Sequence, residues 1–232
     1  MTQAVLFDFG DTLVDYPLRD HRGQIEYIVE FFKEMAAANL VDLARFSNIE
    51  DLANALNTEN ADHSTWPFVE RLRSDSFFSL DLSLQAAKEL ERRICDGVFK
   101  RAELLPDALP TLIELKKRGI KTGIVSNLPW GTSSTIWSAE FARHGFGADL
   151  IDEVVCCVDA GYRKPHPAAI LECLNRLGCS PDRSIFVGDR HSDAQAGRAA
   201  GCRTALVRRR DDSASDECDF MVEDLRDLAT FL

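Results

Sequence analysis

Apolar residues in this chain fall into two recurring patterns, and their alternation sets the fold expectation. Short continuous apolar runs read as strands buried on both faces. They are AVLFDF at 4–9, KTGIVSN at 121–127, EVVCCV at 153–158, SIFVGD at 184–189 and RTALV at 203–207. Between most of them lie helical patterns that stop at a glycine. DALPTLIELKKRG ends at Gly119, HPAAILECLNRLG at Gly178 and SDAQAGRAAG at Gly201. Glycine just past a helix suits the left-handed C-terminal cap. Strands alternating with helices predict an α/β fold, a parallel sheet with helices on both faces.

The interval after the first run breaks this alternation. Ile25, Ile28, Val29, Phe32, Met35 and Ala36 share one helical face. Ser47 with Glu50 makes a capping box ahead of Leu52 and Leu56. Leu84, Ala87, Leu90, Ile94 and Val98 form a second stripe. These spacings predict an all-helical insertion over roughly residues 16–102. No internal repeat or low-complexity segment interrupts the chain.

Composition narrows the picture. With 232 residues, 45% of them hydrophobic, the chain can bury a sizeable core in one large domain or two unequal ones. A net charge of −11 argues against a nucleic-acid surface. The one basic run, Arg208–Arg210, is followed by Asp211 and Asp212 and reads as an exposed loop. No apolar run is long enough to span a bilayer, and the N-terminus lacks the pattern of a signal peptide. The seven cysteines lack metal-ligand spacing, and Cys156–Cys157 reads as a buried reduced pair. The expectation is a cytoplasmic protein that engages neither nucleic acid nor membrane. Its oligomeric state is left open.

Ligands of a parallel α/β sheet bind beyond the carboxyl ends of its strands. Those ends carry Asp8, then Ser126 and Asn127, then Lys164 in GYRKPHP, then Asp189 with Asp193 four residues on. Three carboxylates without histidine make a hard-oxygen site suited to Mg²⁺. A lysine, a hydroxyl and an amide complete a cradle for a phosphoryl group. A carboxylate can then serve as nucleophile and form an aspartyl-phosphate, and Asp8 stands in that place. Taken singly, each residue also has a plain reading as a helix cap, a dipole partner or a solvated side chain.

Together the segments resemble the haloacid dehalogenase superfamily. FDFGDTLVD resembles its first motif, VSN the second, RKPHP the lysine-bearing third and VGDRHSDAQAGRAAG the fourth. The resemblance spans nearly the whole chain. It implies a Rossmann-like core of residues 1–15 and 103–232, closed over by a helical type 1 cap of residues 16–102. It implies that Asp8 attacks phosphorus, that Thr12 positions it and that Lys164 pairs with it. Ser126, Asn127 and Lys164 are implied to bind a small phosphorylated substrate. Asp8, Asp189 and the Gly10 carbonyl are implied to hold Mg²⁺, with Asp193 a direct or water-mediated ligand.

One departure stands out. Phosphatases of this superfamily usually carry a second Asp two residues after the nucleophile, as the general acid. Here that position is Gly10, and Asp11 stands where the motif usually has glycine. A one-residue shift changes both direction and reach, so the acid role is not transferred to Asp11. The main expectation is a Mg²⁺-dependent phosphatase acting on small phosphate monoesters through an aspartyl-phosphate. Three rivals remain. One is a 2-haloacid dehalogenase, whose relatives also lack that Asp. Another is a phosphonate hydrolase, which would use a cap lysine as a Schiff base, but Lys33 and Lys88 lie in helical stretches with no sign of that role. The last is a phosphate-binding protein with little turnover. Arg19, His21 and Arg22 either meet an anionic substrate or simply face water, and the HSTWPF segment at 63–68 is a candidate cap loop facing the site, with Trp66 reading as packed core and Trp130 a candidate for shaping the pocket. His191 reads as exposed.

Overall fold

The structure, a computed structural model, describes residues 1–16, 21–42, 49–74, 82–209 and 218–232, and for His21 the backbone only. The chain begins with β1 (Ala4–Phe7) and the short β2 (Val14–Asp15). Four helices follow: α1 (His21–Ala37), α2 (Ile49–Asn57), α3 (Phe68–Arg73) and α4 (Leu84–Phe99). Then come β3 (Glu103–Leu104), α5 (Ala108–Lys117), β4 (Lys121–Ser126), α6 (Ser134–Arg143), β5 (Glu153–Cys156) and α7 (Cys157–Ala160). The chain closes with α8 (Ala168–Leu177), β6 (Ser184–Gly188), α9 (His191–Ala199), β7 (Arg203–Val207) and β8 (Phe220–Val222).

Six strands form one parallel sheet in the order β5-β4-β1-β6-β7-β8. Strand β1 lies at its centre, with Val5 opposite both Thr122 and Ile185. Successive side chains of a strand point to opposite faces, and the core divides accordingly. Ala4 and Leu6 join a cluster with Ile170, Cys173 and Leu174 of α8. Val5 and Phe7 join a larger cluster with Leu112 of α5 and Phe141 of α6. Gly123 permits the close approach of α8, since a Cβ there would lie 2.7 Å from Cys173 Sγ.

The five apolar runs are therefore strands, the first four trimmed at their carboxyl ends. The first stops at Phe7, and the third stops at Cys156, where Cys157 begins a helix. Cys156 and Cys157 are both buried and free of disulfides. Gly119, Gly178 and Gly201 all carry the positive φ of a helix-ending residue. Four elements had no readable signal. Helix α6 hides behind the turn-forming residues of NLPWGTSS, β8 is three residues long, and the antiparallel β2–β3 pair is two residues deep.

Between β2 and β3 the described residues hold the four helices α1–α4 and a non-helical stretch at 58–67 that makes a bridge from Ser64 to Tyr162. Ile28, Phe32 and Met35 are buried on α1, and Ala87, Leu90, Ile94 and Val98 on α4. Leu84 departs from its stripe: it starts α4 just after the Ser83 cap and is 48% exposed. Ser47 lies outside the described residues.

The basic run needs correction. Arg208 is exposed and pairs with Glu223, but Arg209 turns inward. Its guanidinium donates to both carboxylate oxygens of buried Asp107, at 2.8 and 3.0 Å, and to the Thr12 carbonyl at 2.7 Å. The neighbouring aspartates suggested a solvated stretch; the true partner is 102 positions away. Replacing Arg209 with Ala should cost about 3–5 kcal/mol, because it strands a buried carboxylate whose remaining partner among the described residues is the Leu225 N–H. Urea unfolding measures this; a loss under about 1 kcal/mol would show that the pair is dispensable.

Candidate active site

Four strand ends meet because β5, β4, β1 and β6 are adjacent and parallel. Asp8 follows β1, and its N–H donates to Val187 of β6 at 2.8 Å, so it stays registered on the sheet. Next to it, Phe9 is fully buried among Trp137, Phe141 and Phe146. That aromatic anchor fixes where the loop leaves the strand.

Lys164 is the hub. Its ammonium lies 2.5 Å from Asp8 Oδ1 and 2.8 Å from Asp193 Oδ1, and it donates to the Val125 carbonyl at 3.1 Å. Asp193 in turn accepts the main-chain N–H groups of Asp189 and Arg190 at 3.2 and 3.0 Å. Asp8, Asp189 and Asp193 each bring one oxygen within 4.8 Å of the others.

The electrostatics follow from that crowding. Burial pushes Asp8 up to about 6, even against the attraction of Lys164. Burial, then Asp193, Asp8 and Asp11, push Asp189 up to about 8. Burial alone would lower Lys164, but Asp193 and Asp8 outweigh it and hold it above its ordinary value. The cluster thus carries more negative charge than one lysine balances. An all-oxygen donor set with surplus negative charge fits a hard divalent cation.

The other expected residues sit at or beside the site. Ser126 is buried and lines the cavity over Asp8. Asn127 is spent on the chain itself: it accepts the Lys164 N–H at 2.9 Å and donates to the Lys164 carbonyl at 3.1 Å. These two bonds fix the lysine's main chain, while Asn127 also lines the cavity. Thr12 is fully buried and donates to Asp189 Oδ1 at 3.4 Å, so its contact is with that carboxylate rather than with Asp8.

Gly10 lines the cavity and has no positive φ; a Cβ there would meet only Tyr16 Cδ2, at 3.7 Å. Asp11 is the residue with φ at +62°. The chain turns sharply here, with Leu13 and Val14 both donating to Phe9 O. Asp tolerates the left-handed region better than most residues. Its carboxylate accepts from the Tyr16 N–H at 3.3 Å and from Arg190 at 3.4 Å.

The cavity over Asp8 has a volume of about 580 Å³. Its far wall comes from the helical excursion, residues 56–60 and 64–66 with Arg71, and it is tied to the sheet side by main chain. Thr65 donates to Gly161 O and Arg163 to His63 O, at 2.9 and 2.8 Å. Gly131 backs against Trp66 so closely that a Cβ would fall 2.0 Å from its carbonyl oxygen. Trp66 is half-buried on this wall rather than packed in the core, with Arg71 over its ring. Trp130 is both buried and cavity-lining: it stacks on Tyr27 and donates to Asn57 at 3.1 Å.

Arg22 is exposed and paired with Glu26, away from the cavity wall; Arg19 and the His21 side chain lie outside the described residues. His191 is exposed, as expected. Lys33 and Lys88 are exposed on their helices and do not line the cavity. Sequence reasoning missed Arg163 and Arg190, whose adjacency to Lys164 and Asp189 was an available signal. It also missed Tyr16 and Arg71, for which there was none.

A family model described as haloacid dehalogenase-like hydrolase matches residues 2–201. The glyceraldehyde 3-phosphate phosphatase of Methanopyrus kandleri is 28% identical over 215 residues, which cover 90% of this chain and 85% of the relative. Pyrophosphatase PpaX of Bacillus cereus is 33% identical over 179 residues, 72% of this chain and 77% of the relative. A solved HAD phosphatase structure from Thermococcus onnurineus shares the fold, with a TM-score of 0.69, 23% identity and coverage of 99% of this chain and 97% of that one.

Proposed function

Because this chain belongs to the haloacid dehalogenase-like hydrolases, we propose that it is a Mg²⁺-dependent phosphatase that hydrolyses small phosphate monoesters through an aspartyl-phosphate on Asp8. The observation that carries this reading is the Lys164 ammonium bridging Asp8 and Asp193 beside Asp189 in the cavity. Phosphatase-named relatives agree with it.

The residues divide the work as follows. Asp8 attacks phosphorus, and Lys164 and Ser126 hold the phosphoryl oxygens. Asn127 keeps the lysine in place through its main chain. Asp8, Asp189 and the Gly10 carbonyl would hold Mg²⁺, with Asp193 a direct or water-mediated ligand. The ion would offset the repulsion between the carboxylate cluster and the incoming phosphate. Residues 16–102 act as the cap that excludes water from the reaction.

The decisive experiment is hydrolysis of p-nitrophenyl phosphate and of 2-chloropropionate, each with Mg²⁺ and with chelator. Phosphate release that chelation stops is the expected result. Halide release undiminished in chelator would replace this reading with a dehalogenase. The exposure of Lys33 and Lys88 counts against a Schiff-base phosphonate hydrolase.

The metal assignment makes a further prediction. At about 100 times its dissociation constant, Mg²⁺ should stabilise the fold by about 2.7 kcal/mol, a rise of several degrees in Tm. Asp189→Asn should abolish most of that rise while keeping the hydrogen bond from Thr12. An undiminished Mg²⁺ shift in the variant would place the ion elsewhere.

A further inference from the structure

Asp107 stands immediately before α5, where an aspartate ordinarily caps the helix by accepting its first N–H groups. Here its side chain makes no cap bond. It is buried, and both its oxygens accept from Arg209, with the Leu225 N–H also on Oδ2 at 2.9 Å. The capping role is given up to join three distant segments: the start of α5, the chain just after β7 and the last turn at Leu225–Thr230. The bidentate pair fixes the plane of the guanidinium. The Arg209 Nη2 that donates to Asp107 Oδ1 also donates to the Thr12 carbonyl, at 2.7 Å.

Thr12 lies in the sharp turn that follows Asp8. That turn closes on itself: Asp11 N–H donates to Val14 O, and Leu13 and Val14 N–H donate to Phe9 O. Thr12 makes its bonds beyond the turn. Its carbonyl accepts from Arg209, and its hydroxyl donates to Asp189 Oδ1 at 3.4 Å. Threonine is stiff at χ1, so holding its peptide aims its hydroxyl. Arg209 itself is not part of the cavity lining. Its path to the site runs through Thr12.

We infer that Arg209 is a positioning residue for the reaction. It holds the turn that carries the Gly10 carbonyl, and through Thr12 it aims the hydroxyl that orients Asp189. This rests on the metal assignment above, in which Asp189 and the Gly10 carbonyl would hold the cation. Groups that orient a metal ligand usually contribute about 10- to 100-fold in metal affinity. Arg209 acts one bond further out, so its share is the low end of that range. Lysine at this position would keep the charge opposite Asp107, but one ammonium cannot repeat the fork that spans Asp107 and Thr12.

The test measures Mg²⁺ binding by calorimetry, with p-nitrophenyl phosphate hydrolysis beside it, at a temperature where each variant is folded. Arg209→Lys should weaken Mg²⁺ binding by about 10-fold. Its turnover should be low at limiting Mg²⁺ and should recover as Mg²⁺ is raised. Arg209→Gln combined with Asp107→Asn strands no buried charge and should show the same loss. Thr12→Val, which removes the hydroxyl, should weaken binding too. Arg209→Lys with Thr12→Val should then lose less than the two single losses combined, because both act through one contact. Leu228→Ala is the stability control, since it opens a cavity in the last turn without touching Thr12. It should lower the urea midpoint and leave the Mg²⁺ dissociation constant unchanged. Unchanged Mg²⁺ binding in Arg209→Lys, or an equal loss in Leu228→Ala, would make Arg209 a purely structural residue and overturn the inference while the metal assignment stands. Failure of the unmodified protein to bind Mg²⁺ would overturn the metal assignment itself, and the inference with it.

Discussion

Asp8→Asn should lower turnover by about 10³-fold or more while leaving a folded protein. The amide cannot form the acyl bond to phosphorus, and it is a poorer ligand for a cation. The fold should survive for a local reason. Lys164 keeps its 2.8 Å pair with Asp193 and its bond to the Val125 carbonyl, so no buried charge is stranded. Asp8 itself opposes folding when ionised. Its pKa of about 6 in the folded state lies above the ordinary value, so stability is lost as pH rises from about 4 through 6. The neutral amide escapes that loss. At pH 7 without metal, the variant should therefore melt no lower than the parent. Acid-quenched samples should show a phosphorylated chain for the parent and none for the variant. Retention of more than a few per cent of activity would mean that another group attacks phosphorus.

Gly10→Asp should raise the rate on alkyl phosphates by about 10²- to 10⁴-fold relative to aryl phosphates, the usual contribution of a positioned acid. The backbone permits the change. Position 10 lacks a positive φ, and an added Cβ makes only an ordinary contact with Tyr16 at 3.7 Å. Alkoxides are strong bases, so the unmodified protein should handle alkyl esters worst and its rate should fall steeply as the leaving group becomes more basic. The variant should flatten that dependence. Asp11→Asn is the control, because asparagine tolerates φ near +62° and keeps an acceptor oxygen for Tyr16 N–H. It should leave alkyl phosphate rates unchanged. If Asp11→Asn instead removes alkyl turnover, Asp11 is the acid and the reading of Gly10 fails.

The sequence by itself determined the parallel sheet, the helical interval and the residues at four strand ends. Each rests on local information. A run such as SIFVGD states its own burial, and Asp8, Ser126, Lys164 and Asp189 follow such runs at fixed offsets. A sheet that must be parallel brings those offsets to one edge, so their meeting was legible before any contact was seen. Partnership was not. Asn127 turns to the Lys164 main chain, Thr12 to Asp189, Arg209 to Asp107 and Arg190 to Asp11, across separations of 37, 177, 102 and 179 positions. No periodicity encodes which of several nearby polar groups a side chain will choose. Only the tertiary structure decided that, because the choice depends on where a buried group would otherwise be left unpaired and on which loops the sheet brings within 4 Å. Trp66 shows the same limit: its hydrophobicity argued for the core, and the tertiary structure places it on the cavity wall, where Gly131 passes close to its carbonyl.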